Sequence, residues 1–142
     1  PDQVVQFYLT HTKGINNWDL VDLSAPYILG DFLKDKTDRN VLYDLAGSSV
    51  MWERRIAVVS TLMIIRHGQF DDTIRLAESL IDSKHDLMQK SIGWMLREVG
   101  KRDKGLLVQF IEKHKHEMPR TMLRYAIEKF PEPERREFMR KG

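Results

Sequence analysis

Residues 51–58 read MWERRIAV, residues 87–94 read LMQKSIGW and residues 118–125 read MPRTMLRY. Each segment has an apolar residue at its first position and another five residues later, and a fourth copy starts at Ile15. We call the second apolar position the anchor, and the anchors are Leu20, Ile56, Ile92 and Leu123. Their separations of 36, 36 and 31 residues predict helix pairs that bury their apolar faces by stacking on their neighbours.

Helix-capping and helix-ending residues predict helices along the whole chain. The predicted helices are a short one ending at Gly14, Trp18–Leu33 bent near Pro26, Arg39–Ala46, one from Ser48 or Ser49 to Arg66, Asp71–Ile81, one from Ser83 or Asp86 to Val99 closed by Gly100, Asp103–Lys115, one from Pro119 ending before Pro131, and Glu134–Arg140. The β-branched run 56–59 resembles a strand, but its length and flanks favour a buried helix. No Asn-Gly or Asp-Gly hairpin signal is present, so we predict an all-α fold. The repeat favours a superhelical solenoid over an ordinary helical bundle.

Length and composition limit the class of protein. A chain of 142 residues, 42% hydrophobic and 31% charged, is expected to form one domain with a packed core and a polar surface. The absence of cysteine excludes disulfide scaffolds, thiolate metal sites and cysteine nucleophiles. The longest apolar stretch, Ile56–Ile65, is about half of the ~20 residues that a membrane span needs. We therefore expect a soluble, intracellular protein. Because the chain starts at Pro1 without a Met or a signal peptide, we expect its real start to lie upstream.

Charge is distributed unevenly although the net charge is only +2. Residues 1–50 hold four basic and seven acidic side chains, and residues 51–83 hold four and five. Residues 84–142 hold fifteen basic and nine acidic side chains. A basic C-terminal part indicates a polyanionic partner on one side of the molecule.

Known catalytic motifs and metal sites are not apparent. The sequence has no phosphate-binding loop, dinucleotide fingerprint or G-x-S-x-G element, so these enzyme classes are not favoured. The five histidines are His11, His67, His85, His114 and His116. None has the spacing or the carboxylate partners of a metal site, and we expect them on the solvated surface. We predict no metal and no cofactor.

Aromatic and charged residues near the anchors are the candidates for function. Trp18 and Asp22 are four residues apart and share one helix face. Asp22 and Trp94 both follow their anchors by two residues, so they are equivalent in the repeat. Arg54 and Arg55 lie in the first turn of a predicted helix. Each residue also has a structural interpretation: the tryptophans as core, Asp22 as a helix-start residue, and the arginines as partners of nearby carboxylates.

Four stretches together resemble one family. They are NNWDLVD at 16–22, WERR at 52–55, KSIGWMLRE at 90–98 and LRYAIEK at 123–129. In this order and spacing they are similar to the HEAT-like repeat DNA alkylation repair enzymes, which are alkylpurine DNA glycosylases. The resemblance covers nearly the whole chain.

The resemblance implies a fold and an activity. Family members hydrolyse the N-glycosidic bond of cationic N-alkylated purines, such as 3-methyladenine and 7-methylguanine, in duplex DNA. Their fold is a superhelix of HEAT-like antiparallel helix pairs whose concave face grips the DNA backbone, and the lesion stays largely stacked. The catalytic set of the family would fall on Trp18, Asp22, Arg55 and Trp94, with Arg54 as the competitor for the arginine position.

The resemblance also implies a partner and a context. Candidate phosphate contacts are Arg54, Arg55, Lys90, Arg97, Arg120 and Arg124, with Lys101, Arg102 and Lys104 as further basic residues. We expect a monomer that binds duplex DNA in the cytoplasm, at the nucleoid of a bacterium, without a nucleotide cofactor or membrane contact. Residues 1–142 would form one helical domain, the C-terminal part of a longer chain, since the chains of the family carry further N-terminal helices.

Two other functions fit the same pattern. A non-catalytic relative could bind DNA by its shape, although retention of all four catalytic positions argues against it. A protein-interaction scaffold is the commonest use of helical solenoids and predicts no DNA binding at low salt.

Overall fold

The structure, a computed structural model, describes residues 26–140. A π-helical turn, Pro26–Gly30, precedes the α-helices α1 (Asp31–Leu33), α2 (Asn40–Ala46), α3 (Met51–Arg66), α4 (Asp71–Ser79), α5 (Asp86–Arg102), α6 (Lys104–His114), α7 (Arg120–Ala126) and α8 (Glu132–Met139). No strand occurs in this range, which confirms the all-α prediction there. None of the helices between residues 26 and 140 combines the length and apolar character needed to cross a membrane. The chain divides into two compact units, an N-terminal unit ending at Gln69 and a C-terminal unit beginning at Phe70.

The long helix α3 is the centre of the N-terminal unit. It packs against α2 and against the π-helical turn. Its β-branched run is helical as predicted, and Ile56, Val59 and Ile64 are almost completely buried. Gly30 allows the π-helical turn to approach α3, since a Cβ there would lie 2.3 Å from the carbonyl oxygen of Ser60.

Ser48 organises the turn before α3, and Gly68 follows the end of the helix. The Ser48 hydroxyl donates a hydrogen bond to Glu53 over 2.5 Å and accepts one from the Val50 N–H at 3.0 Å. The chain leaves the helix through Gly68, whose φ of 85° is readily available only to glycine. The helix ends at Arg66 as predicted, but it begins at Met51 after Val50, so the predicted start at Ser48 or Ser49 is too early.

Helix α5 is the centre of the C-terminal unit. It packs against α4, α6 and most extensively α7. Its core side chains include Met88, Ile92, Met95 and Leu96, each at most 1% exposed. The three anchors within the described residues, Ile56, Ile92 and Leu123, are all buried, and the fourth, Leu20, lies outside them.

Several helix ends differ from the predictions. Helix α5 does not stop at Val99 but continues through Gly100 to Arg102. A Cβ on Gly100 would lie 2.4 Å from a Leu107 methyl, so this glycine allows α6 to pack closely and does not end the helix. Asp103 then caps α6 as predicted, accepting the Leu106 N–H at 3.0 Å.

Three further helix ends differ from their predicted positions. Helix α4 ends at Ser79, two residues before the predicted Ile81. Helix α7 ends at Ala126, and residues 127–130 form a turn in which the Phe130 N–H bonds to the Ile127 carbonyl. Helix α8 begins two residues earlier than predicted, because proline is compatible with its first turn.

Candidate nucleic-acid interface

The residues proposed from the sequence fall on different parts of the chain. Trp18 and Asp22 lie outside the described residues. Arg54 and Arg55 belong to the N-terminal unit. The remaining candidates belong to the C-terminal unit, and they are Lys90, Trp94, Arg97, Arg120 and Arg124.

Arg54 and Arg55 occupy different environments at the start of α3. Arg54 is half-buried and donates from Nη1 to the Ser48 carbonyl over 2.9 Å, which fixes the turn before the helix. Arg55 is only 6% exposed and interacts with neighbouring groups. Arg54 therefore has a local structural role, and Arg55 is a buried guanidinium held in a defined position.

Four functional candidates form a stripe along α5. Lys90, Trp94, Arg97 and Lys101 are separated by four, three and four residues, which places them on one side of the helix. Trp94 is only partly buried, in contrast to the core residues Met95 and Leu96 that follow it. We call these four residues the basic stripe, and within it an aromatic ring lies between cations.

The lysines of the basic stripe form ion pairs within α5, one of them exposed and the other with a buried carboxylate. Lys90 lies 2.9 Å from Asp86, and hydrogen bonding to this carboxylate raises the pKa of Lys90. Lys101 lies 3.0 Å from Glu98. The Lys90–Asp86 pair is solvent-exposed and screened, so a phosphate can readily replace its carboxylate, whereas Lys101 also compensates the charge of the buried Glu98 and is less free to leave it.

Arg97 connects two helices. Its side chain is 16% exposed and pairs through Nη1 with Glu128, which follows α7. Its buried Nε has no hydrogen-bond partner within the described residues. Arg97 therefore helps to hold α5 against the end of α7. This structural role differs from the phosphate contact that was predicted for it.

Gly93, the residue before Trp94, allows α5 and α7 to pack closely. A Cβ on Gly93 would lie 2.6 Å from both the Met122 carbonyl oxygen and the Tyr125 Cβ. Helices α5 and α7 can make this contact only because Gly93 has no side chain. The Gly-Trp pair of the motif therefore joins close helix packing to a partly exposed aromatic ring.

Arg120 and Arg124 are the exposed cations of α7. They are four residues apart and share one helix face. Neither forms an ion pair with another residue of the 26–140 range. By contrast, Lys104 is bound 2.8 Å from Glu134 and lies over the Phe130 ring.

One histidine, His114, is buried although a position on the surface was expected. His67, His85 and His116 are exposed as expected, and His11 lies outside the described residues. His114 is only 9% exposed, so the expected surface position is wrong.

The partners of His114 explain its burial. Its Nε2 lies 2.8 Å from Glu78 and its Nδ1 lies 3.1 Å from Glu117. The hydrogen bond from His114 lowers the pKa of Glu78, and Lys113 adds to this effect. Between residues 26 and 140, no group of three His, Cys, Asp or Glu side chains is suited to hold a metal ion.

The repeat could have indicated both cross-helix pairs. Glu78 precedes His114 by 36 residues, the same interval that separates Ile56 from Ile92. Arg97 and Glu128 each follow an anchor by five residues. Side chains at equivalent offsets of stacked repeats are brought close together.

Comparison with known proteins identifies the family. No curated protein and no solved structure gives a significant match to the chain. A model of the family described as DNA alkylation repair enzyme matches residues 1–130, which contain all the site residues selected from the sequence. The match covers most of the 142 residues, and the chain belongs to the DNA alkylation repair enzyme family.

Proposed function

We propose that this protein is a DNA glycosylase that hydrolyses the N-glycosidic bond of cationic alkylated purines, such as 3-methyladenine and 7-methylguanine, in duplex DNA. The observation that carries the proposal is the family match over residues 1–130, within which Trp18, Asp22, Arg55 and Trp94 all lie. Excision of this kind would start base excision repair.

Asp22 would be the catalytic carboxylate. Alkylation gives the purine a positive charge, so the base already leaves easily. When the bond to the sugar breaks, positive charge moves onto the deoxyribose. A carboxylate held beside the sugar stabilises this charge and orients the attacking water, and such preorganised groups typically contribute about 10²–10³ in rate.

Trp94 and Trp18 would supply aromatic faces to the cationic sugar or base. A ring facing a cation contributes about 0.5–2 kcal/mol, at the upper end when water is excluded. The partial burial of Trp94 supports this role, because the ring is held by its helix and still has an accessible surface. Lys90 and Arg97 lie one turn before and after it on α5.

Arg55 and the exposed cations would bind the DNA backbone. A guanidinium can form two parallel hydrogen bonds to a phosphate, which orients the strand without reading its sequence. The exposure of Arg120 and Arg124 supports contacts along the backbone, while the role of Arg55, whose side chain is only 6% exposed, rests on the family match.

The proposed architecture is the one that the repeat predicts. Residues 1–142 would form a single superhelical domain of HEAT-like helix pairs, with the DNA on its concave face. The buried anchors and the close packing of α5 on α7 support such stacking. We further propose that the protein acts as a cytoplasmic monomer.

The test is release of 7-methylguanine from methylated duplex DNA. Asp22→Asn should abolish most of the release and leave DNA affinity about the same, whereas Asp44→Asn, the same change at an exposed position of α2, should have no effect. Duplex binding without release by the unaltered protein would instead indicate a non-catalytic DNA-binding protein. No duplex binding at low salt would indicate a protein-interaction scaffold.

A further inference from the structure

A groove of about 570 Å³ lies between α7 and α8 in the C-terminal unit. Arg124 and Tyr125 of α7 line one side, and Arg135 and Met139 of α8 line the other. Helix α8 follows residue 130, where the family match ends, so half of the residues that line the groove lie beyond the match.

The groove carries uncompensated positive charge. Of its two carboxylates, Glu128 is paired with Arg97 and Glu132 with Arg136. Arg124 and Arg135 form no ion pair within the 26–140 range. The Nε of Arg135 is buried and has no hydrogen-bond partner there, which is a costly state for a charged group. An anion entering the groove would compensate the charge of the Arg135 guanidinium.

The groove also has an apolar lining. Tyr125 and Met139, both partly exposed, contribute aromatic and aliphatic surface beside the arginines. Its volume lies within the roughly 300–1,000 Å³ that is usual for sites binding small molecules. A carboxylate side chain of an acidic peptide would use the arginines only. A nucleotide has both a flat base and a phosphate and would use both surfaces.

We propose that this groove binds an unpaired nucleotide of a DNA strand. The base lies on Tyr125 and Met139, and the phosphate accepts hydrogen bonds from Arg124 and Arg135. The groove adjoins the basic stripe, because Tyr125 packs on Gly93 and Glu128 pairs with Arg97. A strand bound at the stripe can therefore extend into the groove. The choice of DNA as the nucleic acid rests on the proposed function.

The test compares single-stranded and duplex binding by fluorescence anisotropy at low salt. The probes are a labelled short oligodeoxyadenylate and a labelled unmodified duplex. Arg135→Gln should weaken single-strand binding about 5- to 20-fold, since it removes a charge-assisted contact. It should also reduce the log–log salt dependence by about 0.7. Duplex affinity and release of 7-methylguanine should change less than about twofold, because Arg135 is outside the proposed catalytic set.

Two further variants make the result specific. Met139→Glu places a carboxylate in the groove and should weaken single-strand binding at least as much as Arg135→Gln does. Arg75→Gln removes an exposed cation of α4 that does not line the groove, and should leave binding unchanged. Thermal melts monitored by circular dichroism check that each variant is folded.

The possible outcomes separate this proposal from the proposed function. Equal single-strand affinity of folded Arg135→Gln and the unaltered protein overturns the groove proposal, and so does equally strong competition by a polyglutamate peptide. Loss of single-strand binding in Arg135→Gln supports it, even when the unaltered protein releases no 7-methylguanine. Absence of 7-methylguanine release contradicts the proposed glycosylase activity and does not affect the groove proposal.

Discussion

His114 shows at the scale of single residues how a charged network can be buried. Its two ring nitrogens face carboxylate oxygens of Glu78 and Glu117. The ring also contacts Phe110, with centroids 4.6 Å apart. The network therefore joins α4 to the end of α6 by polar contacts at the edge of the core.

The pairing of Glu78 makes stability depend on pH. Its pKa lies below the ordinary 4.5 because His114 and Lys113 stabilise the ionised carboxylate. A carboxyl group with a lowered folded-state pKa contributes stability above its unfolded pKa, and this contribution is lost as the pH falls through the folded-state value. We expect Glu78→Gln to lower the free energy of unfolding by about 1 kcal/mol near pH 6.

Urea unfolding at several pH values measures this contribution. The difference between Glu78→Gln and the unaltered protein should shrink as the pH is lowered below about 4.5. Glu112→Gln is the control, since it removes an exposed carboxylate of α6 whose ion pair within residues 26–140 is with Lys115. A difference that grows on acidification would contradict the assigned role of Glu78.

Close packing of α5 on α7 is the main feature at the scale of elements. Gly93 is the residue that allows it, since any Cβ would meet the Met122 carbonyl and Tyr125 at 2.6 Å. Backbone atoms of α7 cannot move aside as the end of a flexible side chain can. The helices must therefore separate when Gly93 is replaced.

Gly93→Ala should destabilise the protein by about 1–3 kcal/mol, the usual cost of overpacking. The expected effect is opposite to the gain that alanine normally gives in a helix. Gly105→Ala is the matched control, because the nearest atom to its Cβ would be Asp103 Oδ1 at a comfortable 3.5 Å. Chemical denaturation of both variants checks this, and equal stabilities would contradict the close contact at Gly93.

Elements could be predicted from the sequence where their signals are local. Gly68 and Asp103 act on neighbouring backbone groups, and the structure shows them at the helix ends that the pattern indicates, whereas Ser48 lies before α3 and does not cap it. Gly100 was misread because a missing Cβ suits both the end of a helix and a close contact with another helix. Only the position of Leu107 distinguishes the two uses.

The candidate site could be predicted only in part, because some of its contacts are also made with residues that are distant in sequence. Helical spacing alone places Lys90, Trp94, Arg97 and Lys101 on one side of α5. It does not reveal that Arg97 is held by Glu128 or that His114 is buried, because both partners are more than thirty residues away in sequence. Arg120 and Arg124 are exposed, as a residue that contacts a partner must be.

At the scale of the whole molecule, the excess of basic residues after residue 83 predicts salt-dependent DNA binding. Arg120→Gln should weaken duplex binding about 3- to 10-fold at low salt and reduce the log–log salt slope by about 0.9, the value for one phosphate contact. Anisotropy titrations at several salt concentrations measure both, with Arg75→Gln as the control. An unchanged slope would show that Arg120 makes no phosphate contact.

Under the proposed function, Asp22 is the catalytic carboxylate in the excision of alkylated purines. The most direct measurement is the single-turnover rate of 7-methylguanine release from methylated duplex DNA, for Asp22→Asn beside Asp44→Asn. We expect the Asp22 variant to be slower by about 10²–10³ at saturating protein, with DNA affinity preserved, and the Asp44 variant to match the unaltered protein. Equal release rates for the two variants would contradict the account.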